Sequence, residues 1–431
     1  MTRRPQLAEF VRRMGDDSVA VIAAAPEAVR SNDTHYRYRQ DSDFYYLTGF
    51  DEPDSIAVVR PAHPEHPYVL FVRPRDPERE TWDGRRAGLE GARELYGADA
   101  AFPAEEFGEK LGGLLEGARN VYYRLGARPD LDALLVKRIG EMRARSRTQS
   151  APDSITDTAA ILHEMRLVKT DEEIELMQRA ADISSEAHVE AMRAARPGMM
   201  EYEIEALVEY VFRRRGATGP AYTTIAGGGA NATVLHYVTN DAPLRAGDLL
   251  LIDAGCEFRG YAADITRTFP VSGRFTAAQR EIYSVVLDTQ LACVETVKPG
   301  VTMEDLNELA VGMLTEGMVR LGLLRGETAK LIEEKEYKKF FMHGLGHFLG
   351  MDVHDVGRYR LGDAPRPLAA GNVITVEPGL YVAPDAEGVP DKFRGVGVRI
   401  EDDVLVTADG RRVLTDKVPK LVDEIEELTA R

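Results

Sequence analysis

Two stretches of the chain spell nearly the same sentence, and each arrives at a carboxylate two residues before a glycine. Residues 244–255 read LRAGDLLLIDAG and residues 368–379 read LAAGNVITVEPG. Aligned without gaps they share Leu, Ala and two Gly, and the acid is Asp253 in the first copy and Glu377 in the second. A further acid follows each, Asp264 in GYAADITRTF and Glu401 in GVGVRIEDDV. The doubling extends upstream. RPGMMEYEIEALVEYV begins at Arg196 and KPGVTMEDLNELAVGM at Lys298, with Ile204 and Leu207 answering Leu306 and Leu309. In both copies a Pro-Gly breaker precedes a helical pattern, and a strand ending in a carboxylate comes later. Self-similarity in fixed order marks a duplicated unit. The C-terminal part is therefore expected to be α+β with an internal pseudo-twofold repeat. Such a repeat gathers four carboxylates, and uncompensated like charges in a partly dry site cost several kcal/mol per ion. A cation is required there.

The length of 431 residues makes two domains the default. Residues 1–168 mix β-rich runs (SVAVIAAA, SIAVVRP, YVLFVRP, NVYYRLG) with helical patterns (AEEFGEKLGGLLEGA, DLDALLVKRIGEMRARS), which reads as an α/β domain. No metal or nucleotide constellation occurs in it, and His35, His63 and His66 read as surface residues. Residues 169–431 form the second domain, opening where Thr170 and Glu173 make a capping box; Thr276 with Gln279 makes another. The net charge of −17 argues against a general nucleic-acid binder and suits a cytoplasmic enzyme or a site built on carboxylates. Two cysteines, Cys256 and Cys293, are too few for a disulfide scaffold and read as reduced, buried thiols. The N-terminal MTRRPQLAEFVRRMGDD lacks the apolar stretch of a signal peptide, and the run VAVIAAA from Val19 is far short of a membrane span.

The segment DLLLIDAGCEFRGYAADITRTF reads as a hairpin. A four-residue turn from Glu257 to Gly260 sets Asp253 directly opposite Asp264, with Cβ atoms about 4.5–5.5 Å apart. Period two then puts Arg399 and Glu401 on one face of their strand. His343, His347 and His354 lie in FFMHGLGHFLGMDVHDVG, and His236 in TVLHYVTN, so four of nine histidines fall in the segments around the repeats. A lone strand acid is usually a solvent or salt-bridge residue, and HGLGH lacks the glutamate of a zinc-peptidase helix. The conjunction carries the signal: doubled acids, a paired-Asp hairpin and a glycine-flanked histidine cluster. Four carboxylates with one histidine are a hard donor set, suited to Mn²⁺, Co²⁺ or Fe²⁺ over a thiolate-type zinc site. Two such ions about 3.5–4 Å apart would activate a shared hydroxide, which makes the chain a dinuclear metal hydrolase without naming the bond it cuts.

LIDAGCEFRGYAADITRTFPV, FMHGLGHFLGMDVHDVG, ITVEPGLYVAPD and RGVGVRIEDDVLVT together resemble the pita-bread metallopeptidases, and among them the aminopeptidase P group. The N-terminal APEAVRSNDTHYRYRQDSDFYYLTGFDEP is typical of that group, so the resemblance covers nearly the whole chain. It implies an aminopeptidase releasing the first residue of peptides with proline second, by hydroxide attack at a dinuclear centre. The implied metal ligands are Asp253, Asp264, His347, Glu377 and Glu401, with Asp264 and Glu401 bridging two ions, usually Mn²⁺, although Co²⁺, Fe²⁺ or Zn²⁺ also serve. His236, His343 and His354 would orient substrate and stabilise developing charge. Arg399 and Tyr381 would form a hydrogen-bonded set beside the metals, and Glu377 would shuttle a proton. The resemblance also implies a homo-oligomer, tetramer or dimer, in which Trp82 reaches a neighbouring subunit. The rival readings are a prolidase, confined to Xaa-Pro dipeptides; a creatinase-like C–N hydrolase; and a non-catalytic peptide-binding module, against which stands the complete ligand set.

Overall fold

A computed structural model describes residues 4–145 and 147–430. The first three residues of the basic N-terminal stretch therefore lie outside the described residues. The chain divides into two compact units, Met1–Met165 and Arg166–Arg431.

The first unit is built on a six-stranded sheet in the order Ala100–Pro103, Tyr68–Val72, Ile56–Val59, Ser18–Ala23, Asn120–Tyr122 and Ser154–Thr156. The four β-rich runs read from sequence all appear in it. The inner strands are apolar at successive positions because both of their faces are covered. The helices Phe107–Leu115 and Pro129–Ala144 bring Leu111, Leu115, Leu135 and Ile139 onto Val19, Val58, Val69 and Phe71. His35 is exposed, but His63 and His66 are half-buried and stack on each other with centroids 5.4 Å apart.

In the second unit the repeat is written in hydrogen bonds. The Gly198 N–H donates to Leu244 O and the Leu244 N–H to Met199 O; the Gly300 N–H donates to Leu368 O and the Leu368 N–H to Val301 O. Each Pro-Gly corner opens a helix, Glu201–Arg214 in one copy and Met303–Leu321 in the other. Each is preceded by a longer helix, Asp171–Ala194 and Ala277–Thr296, and both of these start at the expected capping boxes. Small buried residues on Asp171–Ala194, among them Ala180, Ser184 and Ala187, let the strands approach closely. The Ser184 hydroxyl accepts the Cys256 N–H at 3.0 Å. Both cysteines are buried and free.

The two strand systems share one construction, a long antiparallel pair that breaks and resumes as a short one. In the first copy Leu249–Asp253 pairs with Thr266–Pro270 and Cys256–Phe258 with Tyr261–Ala262. In the second Val373–Val376 pairs with Asp402–Val406 and Gly379–Val382 with Val396–Arg399. The acids stand at the two breaks.

The register of the first pair differs from expectation. Arg259 and Gly260 both take positive φ, 51° and 83°, so they form a two-residue turn centred between them. That turn matches the right-handed twist of the strands, which the four-residue turn placed one residue earlier does not. Asp253 consequently faces Thr266, and Asp264 lies two positions away on the same face. Direct opposition of two acids occurs in the second copy instead. Val376 pairs with Asp402 and Gly379 with Arg399, and the Ile400 N–H donates to Pro378 O at 3.3 Å, so the same register carries Glu377 across from Glu401. Among the described residues no helix is long and apolar enough to cross a membrane.

Candidate metal centre

Asp253 ends its strand, and Asp264, Glu377 and Glu401 each lie in the short gap between two paired segments. Ligating atoms of Asp264, His347 and Glu401 all lie within 4.8 Å of one another. Asp253 joins through Tyr222, whose hydroxyl lies 2.7 Å from Asp253 Oδ1 and 2.5 Å from Asp264 Oδ1. Glu377 joins through His347, with Nε2 3.6 Å from Glu377 Oε1 and 3.5 Å from Asp264 Oδ2. The five residues expected as ligands therefore stand together in one cluster, with Asp253, Asp264 and Glu401 buried and His347 and Glu377 half-buried.

Arg399 and Tyr381 organise its edge. The Arg399 guanidinium is buried and donates from Nη2 to Asp253 Oδ2 at 2.6 Å, from Nε to Thr266 Oγ1 at 3.0 Å and from Nη1 to the Tyr381 hydroxyl at 3.0 Å. The Thr266 hydroxyl in turn donates to Glu401 Oε2 at 2.7 Å. Tyr381 lies 2.8 Å from His343 Nε2. Because His343 Nδ1 sits 2.7 Å from Gly344 O, that nitrogen carries the proton, and Nε2 accepts from Tyr381. Burial, then the charge of Arg399, pushes His343 down to about 4, so the ring is neutral.

The histidines divide into two kinds. His347 points its Nδ1 at Phe348 O, 3.0 Å away, which fixes the tautomer and turns the Nε2 lone pair toward the acids. The ring of His354 meets that of His347 edge-on, centroids 4.4 Å apart, and is itself exposed. His236 is exposed on the 234–240 segment, and its charge bears on both His343 and His354. Trp82, 88% exposed, sits on the helix Pro77–Asp83 of the first unit.

Burial and like charge set the electrostatics of the cluster. Burial first, then neighbouring carboxylates, drives Glu401 well above the ordinary range, and Glu377 is pushed up to about 8 by burial against the opposing pull of His347 and Arg399. Burial also raises Asp253 in spite of Arg399. His347 rises to about 9: burial opposes its charge, and the carboxylates of Asp264 and Glu377 outweigh it. A pocket that forces protons onto its own acids is short of positive charge, and hard oxygens with one oriented imidazole nitrogen fit divalent cations.

Sequence reading missed four supporting groups. Thr266, Thr375 and Asp403 alternate with the acids at period two and could have been found that way. The Asp264 N–H donates to Asp403 Oδ2 at 3.1 Å, and Thr375 Oγ1 accepts the His347 N–H at 3.0 Å. Tyr222, in GPAYTTIAGG, carries no local signal at all.

The doubled strand breaks and the acid pocket define a metallohydrolase of the pita-bread type. The description "Metallopeptidase family M24" fits residues 175–408, and "Aminopeptidase P, N-terminal domain" fits residues 2–122. The Xaa-Pro aminopeptidase of Escherichia coli (strain K12) is 46% identical over 421 residues, covering 97% of this chain and 95% of that protein. The structure of Pseudomonas aeruginosa aminopeptidase PepP superposes with a TM-score of 0.96 at 49% identity, covering 100% of this chain and 99% of that one. A zinc-substituted E. coli aminopeptidase P in complex with product superposes at 0.93 with 45% identity, covering 99% of each. The chain belongs to metallopeptidase family M24, in its aminopeptidase P group.

Proposed function

We propose that the protein is an aminopeptidase that removes the first residue from peptides with proline in second position. The observation that carries this reading is the convergence of Asp253, Asp264, His347, Glu377 and Glu401 on one largely buried pocket, in a chain matched over nearly its whole length by Xaa-Pro aminopeptidases. The five residues would hold two divalent ions, Mn²⁺ first among them. Residues 169–431 are the catalytic domain and 1–168 a domain of the aminopeptidase P N-terminal type.

Ions held there supply Lewis acidity to polarise the scissile carbonyl and lower the pKa of water. The remaining work falls to side chains. Glu377 takes the proton released from water and returns it to the departing nitrogen; a proline nitrogen in an amide has no hydrogen of its own and leaves only once protonated. His354 and His236 donate to the carbonyl oxygen as it gains charge. Neutral His343, fixed by Tyr381, orients the substrate, and Arg399 holds Asp253 and Tyr381 in register. The oligomer, dimer or tetramer, is supported by the exposure of Trp82, and a cytoplasmic location by two free, buried thiols.

The test compares Xaa-Pro-Yaa, Xaa-Ala-Yaa and Xaa-Pro with Mn²⁺-loaded protein. Turnover of the first and none of the second is expected. Turnover of the dipeptide alone assigns a prolidase, and equal turnover of the alanine peptide removes the proline specificity.

A further inference from the structure

His236 is exposed at the pocket, yet the segment that carries it is tied down from behind by one buried carboxylate. Glu201, at the start of the helix Glu201–Arg214, is fully buried. Its Oε1 accepts the Gly228 N–H at 2.7 Å and Asn231 Nδ2 at 2.9 Å. Its Oε2 accepts the Tyr237 hydroxyl and the Ala242 N–H, both at 2.9 Å. Four neutral donors from one loop thus close on a single side chain: at residue 228 where the loop leaves its strand, at 231 in its single 3₁₀ turn, at 237 beside His236, and at 242 where it returns. The loop is also pressed forward. A Cβ on Gly397 would lie 2.1 Å from Ala232 O, so the 3₁₀ turn rests directly on the strand that ends in Arg399. Ala232, Leu235 and Tyr237 pack with Tyr381 in the same small apolar cluster.

A carboxylate is acceptor-only and offers about four lone-pair positions, which four donors fill. Few other side chains can do this. An amide in its place turns one of its oxygens into an –NH₂ that meets two donors head-on, and those half-buried donors then lose their carboxylate partner. Glu201 contacts neither the acid cluster nor any surface a substrate reaches, so nothing in hydrolysis itself asks for it. What it does is fix the frame in which His236 stands.

We infer that Glu201 is a positioning residue of the peptidase reaction, acting through Tyr237 and the 228–242 loop to hold His236 over the reacting carbonyl. This rests on the assignment of His236 to that carbonyl, and the experiment separates the two claims. Glu201→Gln and the milder Tyr237→Phe, which deletes one donor and leaves the ring packed, are each made alone and in a His236→Ala background. All are assayed as Mn²⁺-loaded enzyme on Xaa-Pro-Yaa, with ion content and melting temperature measured beside kcat and KM. With His236 present, Glu201→Gln lowers kcat roughly tenfold to a hundredfold at unchanged ion content, the size of loss a misplaced catalytic group gives. Tyr237→Phe lowers it by a smaller factor. In the His236→Ala background both effects shrink to within about twofold, the scatter of independent changes. Equal losses in both backgrounds mean that Glu201 only stabilises the fold, and overturn the inference while leaving His236 in place. A His236→Ala enzyme with wild-type kcat removes the role of His236 and the inference together. If Glu201→Gln does not fold, Tyr237→Phe carries the same comparison, and an unchanged kcat in that variant overturns the inference.

Discussion

Glu401 shows how far one side chain can be at odds with its surroundings. It is 2% exposed, and burial together with Asp264, Glu377 and Asp253 opposes its ionisation. Its one described hydrogen-bond donor is the Thr266 hydroxyl. Glutamine has nearly the same shape, its amide oxygen can keep the Thr266 bond, and it is neutral in the pocket without taking up a proton. Glu401→Gln is therefore expected to melt higher than wild type when both are stripped with chelator near neutral pH, by about 2–4 °C for each kcal/mol that protonating the buried acid costs. The same substitution should abolish turnover and weaken Mn²⁺ binding if Glu401 is a ligand as proposed, because a neutral amide does not replace an anionic one. A stripped variant that melts lower than stripped wild type would show that the carboxylate is not under strain. At this scale the sequence was legible wherever chemistry repeats: the four acids announce themselves in or just after the doubled segments, whereas His347 was singled out from its neighbouring histidines only by the family resemblance. Tyr222 did not, because its link to Asp253 and Asp264 is made only by tertiary folding of a loop 31 residues upstream of Asp253.

The strand break is the element that turns sequence into a site. Gly255 stands opposite Asp264, and a Cβ there would lie 1.7 Å from Ala263 O and 2.5 Å from Ala263 C. Both are backbone atoms, held by the Ala254 N–H to Ile265 O bond of 3.0 Å and the Ala263 N–H to Cys256 O bond of 3.1 Å. Neither strand can yield without losing those bonds. Gly255→Ala is expected to cost at least about 1–3 kcal/mol, the range for forced overpacking, and to lower ion occupancy because Asp253 and Asp264 flank the displaced backbone. Gly140→Ala is the control: it lies in the helix Pro129–Ala144 with open space around its Cβ, and should raise stability by about 0.5–1 kcal/mol. Thermal melts and metal analysis of both variants decide; a Gly255→Ala protein with full ion content and wild-type melting removes the claim that this close approach sets the pocket. The helix starts and the apolar runs of the first unit were readable because capping boxes and unbroken β-branched stretches are local signals. The hairpin register was not. It turned on Arg259 adopting φ of 51°, a left-handed conformation that non-glycine residues seldom take, and the shift of that turn by one residue moved Asp264 out from opposite Asp253.

For the whole molecule, the pocket ties folding to protons and to metal. Between the ordinary and folded values a raised group holds a proton that the unfolded chain has released, so stability falls as pH rises through that interval, by about 1.4 kcal/mol per proton per pH unit. Glu377, raised from 4.5 to about 8, and His347, raised from 6.5 to about 9, both act this way. His188 and His343, pushed down to about 4, act in the opposite sense, but their interval ends at the ordinary histidine value of 6.5. Above pH 6.5 the first pair acts without that opposition. The stripped protein is therefore expected to lose melting temperature steadily from pH 6.5 to 8.5. Divalent cations replace those protons, so the Mn²⁺-loaded protein should show a flatter profile and a metal-induced gain in melting temperature that grows with pH, as binding to the folded state alone dictates. The net charge of −17 offers a competing cause, since a crowded negative surface also destabilises a compact chain. Salt separates the two. Surface repulsion is screened within about 3 Å at 1 M ionic strength, whereas charges inside a dry pocket are screened far less. Melts of stripped and loaded protein at pH 6.5 and 8.5, at low and at 1 M salt, should keep the pH-dependent gap between the two forms. A gap that closes in high salt would assign the effect to the surface and not to the acids at the strand breaks.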